Sequence, residues 1–80
     1  MKAKVEVFLK PGVLDVQGKA VESALHGLGW TGAANVRVGR TLVFDVRGDD
    51  EAAARAEVEA MCDKLLANPV IESWRIELAE

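Results

Sequence analysis

The start of the chain alternates between apolar and polar side chains from residue 2 to residue 10. The apolar positions on one face are Ala3, Val5, Val7 and Leu9. A period of two is typical of a strand with one buried face. Pro11 and Gly12 end this strand, because proline cannot donate to a sheet and glycine frees the backbone to turn.

A helical period replaces the alternation after the turn. Asp15 predicts the N-cap of a first helix, since its carboxylate can accept from free amides of the first turn. Gly27 or Gly29 is predicted to supply the left-handed stop. The apolar positions at helical spacing are Ala20, Val21, Ala24, Leu25 and Leu28.

Two short strands are predicted in the middle of the chain. Val36 and Val38 share one face of the first, and Gly39-Arg40 predicts a tight reversal into the second. The inward positions predicted for the second of these strands are Leu42, Phe44 and Val46.

The longest helix is predicted to open after Gly48, with three acidic residues where the helix dipole favours negative charge. Asn68 suits its C-terminal cap, and Pro69 prevents its continuation, so the chain must leave at once into a strand from about Val70 to Leu78. The buried stripe predicted for this helix is Ala54, Val58, Met61, Cys62, Leu65 and Leu66. The inward side chains of the last strand are Trp74, Ile76 and Leu78.

The predicted order is β-α-β-β-α-β within one domain, residues 1–80. Right-handed crossovers place both helices on one face of an antiparallel sheet, which is a two-layer α+β sandwich of ferredoxin-like type. The opposite face is then bare. Phe8 and Val43 are its apolar members and the candidate dimer contacts. The charged residues predicted around them are Lys4, Glu6, Arg37 and Asp45.

The charge and composition of the chain argue against several classes of protein. The chain has 80 residues and a net charge of −3, which disfavours a nucleic-acid partner because such proteins normally show a basic patch. No run approaches the roughly 18 apolar residues of a membrane span, and no signal-peptide core follows Met1. With one cysteine and so no internal disulfide, the sequence predicts a cytoplasmic protein.

Few residues offer chemistry. His26 and Cys62 are the single members of their types, so neither can complete a metal site, and we expect a surface histidine and a buried, inert thiol. Trp30 either anchors a partner or seals the end of the core. Lys10, Arg37 and Arg40 either gather to hold an anion or remain solvated charges.

Three motifs carry a resemblance to a known family. The segments "LKPGVLDVQG", "VRVGR" and "CDKLLANPVIE" resemble PurS, the small subunit of phosphoribosylformylglycinamidine synthase of de novo purine synthesis. They lie in the same order along nearly the whole chain. Two positions depart from the family pattern: Val16 replaces a usual proline at the first helical position, and Arg40 replaces a frequent lysine with its charge kept.

The resemblance implies an assembly role without catalysis in this chain. In that family a large synthase subunit, PurL, binds formylglycinamide ribonucleotide and ATP, and a glutaminase subunit, PurQ, releases ammonia. PurS forms homodimers and bridges the two subunits. No cofactor is expected on this chain, and ATP and magnesium are expected on the synthase. The residues proposed as partner contacts are Lys10, Pro11, Gly12, Asp15, Gln17, Gly18, Arg37, Arg40, Asn68 and Pro69.

Two alternative functions remain open at this point. An ACT-like regulatory domain has the same strand and helix order and binds an amino acid between paired copies. The other alternative is a structural dimer without a ligand. Co-purification with a glutaminase would favour the PurS reading, whereas a thermal shift with one amino acid would favour the ACT-like one.

Overall fold

The computed structural model describes residues 1–80 and contains one antiparallel sheet of three strands and two helices. The elements in chain order are β1 (Lys2–Leu9), α1 (Val16–Gly27), β2 (Arg40–Asp45), α2 (Glu51–Met61) and β3 (Glu72–Ala79). A π-helical turn, Cys62–Leu66, continues α2. The strand order β2-β1-β3 agrees with the predicted ferredoxin-like α+β class. None of the helices has the length and apolar character needed to cross a membrane.

The central strand β1 carries the core, as its alternation predicted. Val5 lies opposite Leu42 of β2 and Ile76 of β3. Ala3, Val5 and Val7 are buried, whereas the intervening residues face the other side of the sheet. The remaining buried core residues are Val46, Ala54, Val58, Cys62, Ala67 and Ile76.

Helix α2 and the π-helical turn that continues it cover the inner face of the sheet through Ala54, Val58 and Cys62. The predicted stripe is wrong at Met61 and Leu65, which are exposed, whereas Leu66 packs half-buried against the core as predicted and Ala67 is buried as well. The amide of Ala67 donates to the carbonyl of Cys62, five residues back. This wider turn rotates the following side chains relative to an α-helical period, so the inward position moves past Leu65.

Helix α1 begins and ends as predicted. Asp15 is its N-cap and accepts from the Gly18 amide at 2.7 Å. At the other end Gly29 has φ +105°, which a residue without a Cβ adopts easily. The amide of Gly29 donates to the His26 carbonyl, and the amide of Trp30 donates to the Leu25 carbonyl. This pair of hydrogen bonds is typical of a Schellman cap.

The position of α1 differs from the prediction. No residue of α1 belongs to the core or packs against it, so the two helices do not jointly cover the inner face. We call residues 16–35 the α1 arm. Two of its apolar side chains, Leu28 and Trp30, are 72% and 62% exposed. The radius of gyration is 15.9 Å, against about 12 Å for a compact chain of this length, so the protein is elongated.

The predicted strand around Val36 and Val38 is also absent, and no hairpin forms at Gly39-Arg40. Side chains of the preceding region take its backbone donors: Val36 N–H donates to Glu22 at 3.1 Å, and Val38 N–H to Asp15 at 2.8 Å. With these amides occupied, the segment enters β2 without first pairing to it. Gly39 passes close to β1, since a Cβ there would lie 2.6 Å from the Val7 carbonyl oxygen.

The cap assigned to Asn68 is wrong by one residue. Ala67 is the C-cap, in an extended conformation with φ −139° and ψ 159°. Asn68 instead builds the turn into β3, where its side-chain oxygen accepts from Val70 N–H at 3.1 Å. Its carbonyl accepts from Ile71 and Glu72. Asparagine favours such turns because its side chain mimics a backbone acceptor.

Asp15 holds two segments at once, which predicts unequal effects of two substitutions. Asp15→Ser can still cap Gly18 but cannot also reach Val38, whereas Asp15→Ala loses both acceptors. We expect Asp15→Ala to lower the melting temperature by about 4–8 °C and Asp15→Ser by roughly half as much. Thermal unfolding by circular dichroism tests this. Equal melting temperatures for the two variants would show that capping of Gly18 contributes nothing.

Candidate functional site

Three segments meet at the end of the sheet where β1 finishes and β2 and β3 begin. They are residues 10–18, 36–40 and 66–72, which we call the loop cluster. Hydrogen bonds join each segment to another: Lys10 to Pro69, Val38 to Asp15, and Arg40 to Leu66. The predicted partner contacts all lie within these three segments. The fold therefore brings together residues that are up to 59 positions apart in sequence.

The centre of the loop cluster is a bidentate ion pair between Arg40 and Glu72. The two guanidinium nitrogens donate to the two carboxylate oxygens at 2.7 and 3.1 Å. Arg40 Nη2 also donates to the Leu66 carbonyl at 2.6 Å. The side chain of Glu72 is only 13% exposed. One guanidinium thus joins the entry of β2 to the end of the π-helical turn and to the start of β3.

The turn into β3 is fixed from both sides. Glu72 Oε1 accepts a second hydrogen bond, from Asn68 N–H at 2.7 Å. On the other side Lys10 donates through its ammonium to the Pro69 carbonyl at 2.7 Å and through its backbone to Ile71 at 2.9 Å. The end of β1 and the Asn68-Pro69 turn therefore move as one unit.

Arg37 and Asp15 tie the third segment to this unit. Arg37 donates to the carbonyls of Lys10 and Val13 at 3.2 and 3.1 Å, and so closes the turn after β1. Its Nε also lies 4.0 Å from Asp15, which is 4% exposed. Arg37 does not lie on the bare sheet face, where the sequence placed it. Lys10, Arg37 and Arg40 do gather at one end, but each donates to groups of the chain itself.

The electrostatics of the cluster follow from these contacts. The hydrogen bond from Arg40, and then that from Asn68 N–H, lower the pKa of Glu72 below its usual range. The same ion pair raises the pKa of Arg40. The amides of Val38 and Gly18 lower the pKa of Asp15, with a smaller contribution from Arg37. Both carboxylates are thus held in their charged form as structural acceptors.

A cleft of about 380 Å³ opens between the end of β1 and the start of α1. Gln17 lies in its wall together with Phe8, Leu14 and Val16, so this predicted contact residue is presented toward a surface opening. Gly18 is buried, and a Cβ there would collide with the Val36 carbonyl. Pro11 and Gly12 are exposed at the tip of the turn, where Gly12 has φ +89°.

The candidate dimer contacts, Phe8 and Val43, lie on the outer face of the sheet, as predicted, and are 40% and 59% exposed. Their polar neighbours are paired with one another. Glu6 accepts from Arg75 at 3.0 Å and lies 4.0 Å from Lys4. This face is therefore a charged surface with internally balanced ion pairs and isolated apolar side chains.

Sequence reasoning missed Glu72, which accepts from two segments of the loop cluster. The signal was weak: a glutamate four residues after a turn asparagine has no distinctive pattern, and its partner lies 32 positions away. Glu22 was missed for the same reason. It reaches from the middle of α1 to Val36, 14 positions later.

The remaining candidate groups lie outside the loop cluster. Cys62 is buried in the core, and its burial raises the pKa of the thiol. His26 is exposed on the α1 arm, where its ring contacts the Ala33 carbonyl at 2.6 Å. The two side chains thus form no nucleophile and base pair. No group of three or more metal-binding side chains is present. Trp30 is exposed and does not seal the core.

The Arg40–Glu72 pair predicts a pH-dependent stability. Since the folded pKa of Glu72 is lowered, its contribution is present at neutral pH and is lost as the pH falls through that pKa. Glu72→Gln should cost about 1–2 kcal/mol of unfolding free energy at pH 7. The difference from the parent protein should shrink as the pH is lowered below the usual pKa range of a glutamate and through the lowered pKa of Glu72.

Urea unfolding at several pH values measures this difference. Lys2→Gln is the matched control, because the Lys2–Asp45 pair is 3.5 Å long and exposed on both sides. It should cost less than about 0.5 kcal/mol. If the unfolding free energy of Glu72→Gln lies below that of the parent protein by the same amount at every pH, the charge of Glu72 does not have the proposed role.

The chain matches the model of the family PurS, phosphoribosylformylglycinamidine (FGAM) synthase, over residues 2–80. It is 43% identical to the synthase subunit PurS of Bacillus subtilis over 79 residues, covering 99% of this chain and 93% of that protein. The corresponding subunit of Synechocystis is 43% identical over 75 residues, covering 94% of this chain and 75% of the relative.

Solved structures agree. A B. subtilis PurS crystal structure has a TM-score of 0.90 at 43% identity, with 99% of this chain and 98% of that chain covered. A chain in the structure of PurLQS from Thermotoga maritima has a TM-score of 0.86 at 25% identity, with 95% and 93% covered. The sequence and the fold therefore lead to the same conclusion, which is that this chain belongs to the PurS family.

Proposed function

We propose that this chain is the small, non-catalytic assembly subunit of an FGAM synthase, and that it bridges a synthase and a glutaminase subunit. The observation that carries the proposal is the likeness over the full length to PurS subunits, which includes a chain of a PurLQS complex. The ACT-like alternative has no comparable support. Cytoplasmic location stays a prediction.

The division of labour follows from the chemistry of such a synthase. ATP and magnesium would be bound by the large synthase subunit, which activates an amide oxygen, and ammonia would come from glutamine on the third subunit. This chain contributes a rigid surface. Its loop cluster suits that role because intramolecular hydrogen bonds and ion pairs already fix the turns, so little conformational entropy is lost when a partner binds them.

The turn Lys10-Pro11-Gly12 of the loop cluster supports contact with a partner subunit, because Pro11 and Gly12 are exposed and the half-buried Lys10 lies next to them. The turn is held from behind by Arg37, while Pro11 and Gly12 face solvent. Loops held on a rigid scaffold are frequent sites of binding. Lys10 adds a positive charge, because its ammonium donates to a carbonyl rather than to a carboxylate. A partner carboxylate is the group that would complement it.

The homodimer stays a prediction as well. Nine residues form the buried core, and the α1 arm leaves several apolar side chains exposed, as a surface completed by a second chain does. Sedimentation of the purified chain tests it, and a stable, compact monomer at micromolar concentration would contradict it.

The proposal predicts that the isolated chain turns over neither glutamine nor ATP. Cys62 is buried with a raised pKa, and His26 lies apart on the α1 arm, so no activated nucleophile exists. Glutamate release and ATP hydrolysis should equal the buffer blank for rigorously purified protein. Turnover that a point substitution in this chain abolishes would contradict the proposal.

Lys10→Ala tests the loop contact. The lost hydrogen bond to Pro69 is exposed, so the melting temperature should fall by only a few degrees. Assembly with the synthase and glutaminase subunits should weaken about tenfold, a change of ~1.4 kcal/mol. Glutamine-dependent synthesis should fall, while synthesis with added ammonia should suffer less.

Two controls accompany Lys10→Ala. Lys64→Ala removes an exposed lysine outside the loop cluster and should leave assembly unchanged. Lys10→Arg keeps a charged donor and should restore most of the affinity. If Lys10→Ala assembles and channels ammonia like the parent, the loop is a structural turn and the contact surface lies elsewhere.

A further inference from the structure

The turn after β1 has a defined geometry but little support of its own. Val13 N–H donates to the Lys10 carbonyl at 3.1 Å, which closes a turn of four residues. Gly12 has φ +89°, and the ring of Pro11 fixes a negative φ before it. This combination defines a type II turn. A single exposed hydrogen bond stabilises such a turn only weakly, so other groups must hold it in one conformation.

The side chain of Arg37 provides that support. Its Nη2 donates to the Lys10 carbonyl at 3.2 Å, and its Nη1 donates to the Val13 carbonyl at 3.1 Å. These two carbonyls belong to the first and the last residue of the turn. Because the guanidinium is planar and its donors have a fixed spacing, Arg37 also fixes the distance between the two carbonyls.

Arg37 is itself held in place on both sides. The amide of Val36 before it donates to Glu22 at 3.1 Å, and the amide of Val38 after it donates to Asp15 at 2.8 Å. Asp15 also lies 4.0 Å from the Nε of Arg37 and is buried. The free chain therefore already holds the guanidinium in the position from which it grips the turn.

The turn keeps donors that a partner can use. Gly12 N–H donates to no group of the chain. The ammonium of Lys10 has three N–H groups and donates to the Pro69 carbonyl alone. Donors on neighbouring residues fit a carboxylate, the partner group that complements Lys10. The spacing of these donors depends on the conformation of the turn, and Arg37 sets that conformation.

We propose that Arg37 is a positioning residue for assembly, which acts through the turn Lys10–Val13 by holding it in the shape that a partner subunit binds. The inference rests on the proposed function, in which this turn contacts a partner. A turn that is fixed in the free chain loses less conformational freedom on binding, so the complex is more stable than one formed by a mobile turn.

Arg37→Lys tests the fork of donors without changing the charge. One ammonium cannot hold both carbonyls at the spacing that the guanidinium sets. In titration calorimetry the affinity for the synthase and glutaminase subunits should fall about tenfold. Since the charge is unchanged, the ratio to the parent should be the same at low and at high salt. A ratio that depends on salt would indicate a charge contact with the partner and would overturn the proposal.

The free chain gives a second measurement that needs no partner. In the parent protein we expect NMR backbone order parameters of about 0.85 at Gly12 and Val13, and in Arg37→Lys values below about 0.6. The order parameters of β1 should not change. If Arg37 contacted the partner directly, the substitution would weaken assembly without altering the order of the turn.

Arg55→Lys is the matched control. Arg55 also donates to a backbone carbonyl, that of Ile76 at 3.3 Å. Its side chain is 44% exposed, against 45% for Arg37, and it lies on α2 outside the loop cluster. Arg55→Lys should lower the melting temperature about as little as Arg37→Lys does, yet leave the turn and assembly unchanged. An equal loss of affinity in both variants overturns the proposal, because lost stability would then explain it.

The same titrations separate this inference from the proposed function. If the parent chain binds neither subunit, the proposed function fails and the assembly role of Arg37 fails with it. If the parent binds and Arg37→Lys binds equally well, the positioning role alone is overturned. Weaker binding of Arg37→Lys with unchanged order parameters also overturns it. Should Arg37→Lys not fold, Arg37→Gln, whose amide can donate to one carbonyl but not bridge both, takes its place in every measurement except the salt comparison.

Discussion

The Arg40–Glu72 ion pair holds the arrangement of this protein together at its loop end. One carboxylate receives both the guanidinium and the amide that opens the last turn, and the same guanidinium holds the carbonyl at the end of the π-helical turn. The pair thus fixes the entry of β2 relative to the turn that leads into β3. Because Glu72 is largely excluded from water, the pair is screened less by solvent than the exposed ion pairs of the outer face.

This constraint explains how a small chain can present defined loops. The core consists of nine buried residues beneath α2, which is little hydrophobic surface to order three turns. The turns are ordered instead by charged side chains that satisfy backbone carbonyls and amides, as Arg37 and Asp15 do beside the central pair. No buried side-chain donor or acceptor is left without a partner. A surface fixed in this way is suited to docking, because it keeps its shape when it is free.

The molecule consists of two parts that differ in their packing. The sheet with α2 forms the packed part, whereas the α1 arm is internally bonded but contributes nothing to the core. Its hydrogen bonds run within the arm through His26, to Asp15 just before it through Gly18, and to Val36 just after it through Glu22. The elongated shape is a direct consequence.

The sequence by itself determined the local structure and the family. Alternation set the inward face of β1, Asp15 and Gly29 set the ends of α1, and the three loop motifs identified PurS. These features depend on neighbours in sequence, so periodicity and capping chemistry suffice to predict them. Three outcomes depended on the tertiary structure. The segment around Val36 is held by Asp15 and Glu22 rather than by a strand, α1 lies off the sheet, and Arg40 pairs with Glu72. The first and the third outcome depend on hydrogen bonds between groups 14 to 32 positions apart in the sequence. The second depends on the absence of a packing partner for α1 within the chain. No local sequence pattern encodes either condition.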